Sequence, residues 1–152
     1  MSYSREIANL IKQYLDGESF HYDFDEEEGI FHFGVVMPSK LQNIKYLIRV
    51  TQSRFICYAY CPIGAGEAKE EVGEFLHRAN YGLPYGNFEM DYTDGEIRFK
   101  FSLICDDSLP SLDLVEDSIL VPARMFRQYG DGLLAVIFGM QEPEAAVEAC
   151  EK

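Results

Sequence analysis

With 152 residues, 47% of them hydrophobic and 14% aromatic, the chain is long enough to bury one full core and too apolar for disorder, so a single domain over 1–152 is expected. Its net charge is −13, from 26 acidic against 13 basic residues spread along the whole length, and such a surface repels phosphate backbones. That argues against nucleic acid as a partner and for a basic or apolar one.

No basic-then-apolar leader opens MSYSREIANL, and no apolar run reaches the roughly 18 residues needed to span a bilayer. Cys150 stands one residue too near the end for a prenylation box. A soluble, cytoplasmic protein without membrane contact is expected, its four cysteines reduced.

Residues 3–16 predict a first helix, with Ile7, Leu10, Ile11, Tyr14 and Leu15 on one stripe. Gly17 suits the left-handed residue that follows many helices. Phe20, Tyr22 and Phe24 then alternate with His21, Asp23 and Asp25, and a turn over 26–29 leads to a strand over 30–36. Asp23, Asp25, Glu27 and Gly29 have the alternate spacing of calcium ligands, but the sixth and twelfth positions of such a loop would hold Glu28 and Gly34 in place of Gly and Glu. The turn reads as solvated, with no metal.

After a polar connection over 38–43, Tyr46, Ile48 and Val50 alternate with Lys45, Arg49 and Thr51. The next strand, Phe55 to Cys61, is apolar on both faces, which places it in the middle of a sheet covered on both sides or at an interface. A second helix is expected over 65–79, acidic at its start and basic near its end, with Ala68, Val72, Phe75, Leu76 and Ala79 buried.

The stretch 87–103 reads as a hairpin. Phe88, Met90, Tyr92, Ile97, Phe99, Phe101 and Leu103 share one face, and an Asp-Gly pair marks the turn. Ser111 is the expected N-cap of a third helix, kinked or restarted at Pro122, broken at Gly130 and Gly132, and closed at Gly139. Residues 142–152 are expected to form a polar helical tail that frays. The expected fold is α+β, in the order α-β(4)-α-β(2)-α, with an antiparallel sheet packed against helices.

Little in this order spells out a reaction. Gly64, Gly66 and Lys69 lack the spacing of a phosphate loop, and the glutamates at that helix start would oppose a phosphate. Cys57 and Cys61 share a strand face but stand about 13 Å apart at strand rise, too far to chelate one zinc. No nucleophile elbow accompanies His21, His32 or His77. Catalytic residues, cofactor and metal are therefore expected to be none. Tyr58, Tyr60, Tyr81, Tyr85, Tyr92 and Tyr129 are dense enough to suggest an interface, although core packing explains most of them equally well.

The segment EEVGEFLHRANYGLPYGNFEMDYTDGEIRFKFSL, Glu71 to Leu103, resembles the YbjN-like domains of bacteria. In these a helix ending in Asn is followed by Leu-Pro-x-Gly-x-Phe, an acidic-Gly turn and a Gly-Glu-hydrophobic-Arg strand. The flanks agree in order, down to the Val-Ile-x-Gly ending at Val136 to Gly139. The resemblance implies a fold similar to that of type III secretion chaperones, which are small, acidic, usually homodimeric proteins that bind extended segments of other proteins. It brings the label of a sensory transduction regulator and no catalytic residues.

A non-enzymatic protein-binding, chaperone-like or regulatory module follows, a homodimer with a protein segment as partner. Its candidate partner or dimer surface is Tyr58, Tyr60, Tyr81, Tyr85, Phe126 and Tyr129. The alternative is a small-ligand-binding protein or enzyme, with a pocket between the last helix and the sheet near Tyr85, His77 and Arg98. Arg98 and Lys100 could hold an anion there, yet they face Glu89 and Asp91 across the hairpin, and cross-strand pairing is the plainer expectation.

Overall fold

Alternating side chains give the chain a six-stranded antiparallel sheet, and the computed structural model, which describes residues 2–152, packs four helices onto one side of it. The elements are α1 (Arg5–Gly17), β1 (Tyr22–Asp25), β2 (Ile30–Val36), β3 (Asn43–Val50), β4 (Arg54–Tyr60), α2 (Lys69–Tyr81), β5 (Asn87–Met90), β6 (Ile97–Ile104), α3 (Leu112–Ile137) and α4 (Pro143–Cys150). Strand order is β1-β2-β3-β4-β6-β5. Tight turns join the first four strands. α2 then carries the chain across to the far edge, and β6 returns antiparallel to β4 in the register Arg54↔Ile104 to Tyr60↔Arg98.

One face of the sheet is dry. Phe31, Tyr46, Ile48, Phe55, Cys57, Ala59, Ile97 and Phe99 are buried there against the helices. Tyr46 shows how the layers lock: its hydroxyl donates to the Ile119 carbonyl of α3 at 2.5 Å, so the one polar atom of this buried ring is satisfied.

Ser4 caps α1, its hydroxyl accepting from the Ile7 N–H at 3.2 Å, and Ser111 caps α3 in the same way through Leu114. Gly17 does not end α1 as a left-handed residue. It lies within the helix, and the positive φ falls on Ser19, at 61°. Gly139 closes α3 as expected, with φ 71°.

Two expectations for the C-terminal third are corrected. α3 runs unbroken for 26 residues through Pro122, Gly130 and Gly132. The glycines permit close approach and do not break the helix. A Cβ on Gly132 would stand 2.5 Å from Cys150 Sγ and 3.2 Å from both the Ala146 carbonyl and the Phe75 ring, and one on Gly130 would stand 2.7 Å from Leu41. The segment expected to fray is α4, which docks on α2 and α3 through Pro143, Ala146 and Val147, all buried. The Tyr129 hydroxyl donates to Glu151 at 2.6 Å just beyond it.

The β5–β6 hairpin forms, but on a longer turn than an Asp-Gly pair alone would make. Met90 pairs with Ile97, and the intervening turn is tied by Gly95 N–H to Asp91 O at 2.7 Å. Tyr92 sits in this turn, 60% exposed, and so leaves the dry face assigned to it. Gly95 has φ 80°, and a Cβ there would stand 3.3 Å from the Ala65 backbone nitrogen. Gly95→Val should therefore lower stability by about 1 kcal/mol or more. A thermal melt reads it, and an unchanged midpoint would contradict the turn geometry.

Candidate protein-binding face

The sheet's other face carries no helix. Alternation along β3 and β4 that buries Tyr46, Ile48, Phe55 and Cys57 turns Lys45, Leu47, Arg49, Arg54, Ile56, Tyr58 and Tyr60 outward. β4 is central, as its doubly apolar sequence implies, yet only one of its faces is covered within the chain. Ile56, Tyr58 and Tyr60 are left half-buried by their strand neighbours. Large apolar groups on the uncovered face of a central strand mark an interaction surface more strongly than scattered single residues do.

Charge fixes the arrangement of the rings. The Arg98 guanidinium lies over the Tyr58 ring, 4.3 Å from its centroid, and Tyr58 and Tyr60 have centroids 6.3 Å apart. Arg98 Nε donates to Glu89 at 2.8 Å, and Lys100 Nζ reaches the other Glu89 oxygen at 2.8 Å. Partial burial works to raise the Glu89 pKa, but the hydrogen bonds from Lys100 and Arg98 outweigh it and hold the carboxyl below its ordinary value. The cross-strand pairing expected for Arg98 and Lys100 is present, with Glu89 taking both cations; Asp91 instead accepts from the Thr93 N–H of its own turn.

The six candidate surface residues fall in three places. Tyr58 and Tyr60 share the open face. Tyr81 and Tyr85, 96% and 65% exposed, lie at the end of α2 and in the loop to β5. Phe126 and Tyr129 are corrected: they are buried on the inner side of α3, packed edge-on against Phe88 with centroids at 5.4 and 5.8 Å. Their helical spacing fits core as well as surface, and only the position of β5 decides it.

The pocket suggested between the last helix and the sheet is also corrected. Phe88, Phe99 and Phe126 fill that space, His77 is exposed on α2, and Arg98 points to the opposite face. Burial pushes the Cys57 thiol up from its ordinary value and that of Cys61 to about 11, so neither supplies a thiolate near neutral pH. In the β1–β2 turn the Asp25 carboxylate accepts from the N–H groups of Glu27 and Glu28 at 2.9 and 3.0 Å, as a self-satisfied turn does. Gly64 and Ala65 pack on the β5–β6 turn, Ala65 N–H donating to Gly95 O at 2.9 Å.

A role in the Asn80 to Phe88 segment was hidden in the sequence. Asn80 donates to the Phe88 carbonyl at 2.9 Å and accepts from the Phe88 N–H at 2.7 Å, satisfying the backbone that an edge strand would otherwise present to another chain. Asn80→Ala leaves both groups without this partner and should cost about 1–3 kcal/mol. Urea unfolding measures the loss, and an unchanged midpoint at unchanged slope would show the bridge to be dispensable.

Among curated proteins, no sequence matches this chain. Solved structures that share its fold include the following two. One is a chain of the "Crystal Structure of the ExsC-ExsE Complex", at 13% identity and TM-score 0.53, the match covering 84% of this chain and 96% of that one. The other is an uncharacterized protein from Methanothermobacter thermautotrophicus, at 18% identity and TM-score 0.52, covering 88% of this chain and 97% of that one. At these identities the likeness concerns the fold alone. No helix among the described residues is long and apolar enough to cross a membrane. The profile described as "YbjN: Putative bacterial sensory transduction regulator" matches residues 8–135, from within α1 to near the end of α3, and the chain belongs to the YbjN family.

Proposed function

We propose that this protein is a non-enzymatic binding module, chaperone-like or regulatory, that forms a homodimer and holds a segment of a partner protein. One observation carries the reading: the Tyr58–Tyr60–Arg98 group stands on the face of the central strands that none of the four helices covers. The fold supports it, since a chain of the ExsC-ExsE complex, a protein bound to another protein, shares it. Tyrosine suits such a role because its ring buries apolar area while its hydroxyl stays hydrogen-bonded.

Capture from a bacterial lysate on the tagged protein, identification of the retained protein and reconstitution from purified components test the binding. A defined complex is expected, weakened at least tenfold by the double substitution Tyr58→Ser, Tyr60→Ser. Failure to retain any protein across salt conditions would overturn the reading. Light scattering coupled to size-exclusion chromatography tests the dimer, and a strict monomer at micromolar concentration would remove that part.

A further inference from the structure

We propose that the open face takes an acidic, extended protein segment whose carboxylates alternate with apolar side chains, an inference that rests on the protein-binding reading above. The chain holds 26 acidic residues, and none lies on β2, β3, β4 or β6. The same strands carry Lys45, Arg49, Arg54, Arg98 and Lys100, five of the thirteen basic residues, all on the open side. Acidic groups reach this face from its edges and one end, as Asp23, Asp25 and Glu89 and as Glu96, which lines a hollow with Lys45, Leu47 and Tyr60. A surface otherwise strongly negative thus has a cationic centre.

Glu89 occupies Arg98 and Lys100. Among the described residues Lys45, Arg49 and Arg54 stand outside the ion pairs of the chain. Lys45 and Arg49 are four residues apart on β3, about 13 Å at strand rise, with Leu47 midway. Across the register Lys45 lies beside Tyr60, Leu47 beside Tyr58 and Arg49 beside Ile56. The pattern is cation, apolar, cation along the strand, with aromatic and aliphatic groups alongside. An extended segment with acidic residues at i and i+4 and an apolar residue at i+2 complements it.

Other occupants fit less well. A second copy laid on this face about a two-fold axis would set the cations against themselves. A nucleic acid would meet the net charge of −13 and leave Leu47 and Ile56 without apolar contacts.

The probe is a 12-residue peptide with Glu at every fourth position, Leu or Val midway between, and Ser or Thr elsewhere, compared with its Glu→Gln counterpart. Titration into isotope-labelled protein should shift the amide signals of β3 and β4, with affinity at least tenfold higher for the Glu peptide. Lys45→Glu with Arg49→Glu, both at exposed positions, should abolish that difference while circular dichroism stays unchanged. Arg127→Glu, the same change of sign on the exposed side of α3, should preserve it. Equal binding of the two peptides, shifts confined to the helices, an equal loss in Arg127→Glu, or tighter binding of a 12-nucleotide single strand at the same amides would overturn the proposal. Suppose the Lys45→Glu, Arg49→Glu protein still holds a partner captured by the wild type. Then the acidic-segment inference falls and the protein-binding reading stands. A wild type that captures nothing removes that reading itself.

Discussion

Phe126→Ala should destabilise the protein by about 3–5 kcal/mol, the range for truncating a fully buried Phe. The ring has no exposure and meets Phe88 edge-on at 5.4 Å, while Phe88 in turn packs edge-on against Phe99 at 4.9 Å, so one truncation opens a cavity where α3, β5 and β6 meet. Tyr81→Ala is the matched contrast. Tyr81 is 96% exposed, and its loss should stay within about 0.5 kcal/mol. Chemical denaturation of both variants separates the two placements. If Phe126→Ala cost no more than Tyr81→Ala, the residue would be on a surface after all.

Gly86→Ala should cost about 3 kcal/mol, from two sources that add. Gly86 has φ 69°, where a side chain is strained by roughly 1–2 kcal/mol. A Cβ there would also stand 2.7 Å from the Lys100 carbonyl and 2.6 Å from the Phe99 ring, both fixed in β6, and overpacking of this kind costs about 1–3 kcal/mol. Gly17→Ala supplies the control, because that glycine is helical with nothing within 4 Å. It should leave stability unchanged or raise it by up to about 1 kcal/mol. Equal melting temperatures for the two variants would contradict the close approach at Gly86.

These two sites show what the sequence could and could not disclose. Strands were legible because alternation has a physical cause that acts locally: Tyr46, Ile48 and Val50 must face one way if Lys45 and Arg49 are to face water. The caps at Ser4 and Ser111 act within one helical turn, which makes Ser111 legible from its local sequence. Glycine was ambiguous, since the same residue serves turns, breaks and close contacts. Gly130 and Gly132 read as breaks in sequence, and only Leu41, Phe75 and Cys150, distant along the chain, reveal them as contact points. The tail 142–152 looked too polar to dock for the same reason, its partners being on α2 and α3.

The site was half legible. FICYAYC announced a strand with no wet face, and the structure puts it at the centre of the sheet with Tyr58 and Tyr60 uncovered. Tyrosine density in the sequence does not define a face, because Tyr129 and Phe126 on one helix and Tyr81 on another share no face with Tyr58. Within the segment carrying the family likeness, Glu71 to Leu103, the part from Asn80 to Phe88 secures an edge strand and a tight turn.

Hydroxyl-radical footprinting of the tyrosine side chains, with and without the purified partner, tests most directly whether the open face is where that partner sits. Tyr58 and Tyr60 should lose reactivity in the complex while Tyr81, on the helical layer, keeps it. Protection of Tyr81 and Tyr85 with Tyr58 and Tyr60 unchanged would place the partner elsewhere and contradict the role given to the uncovered face.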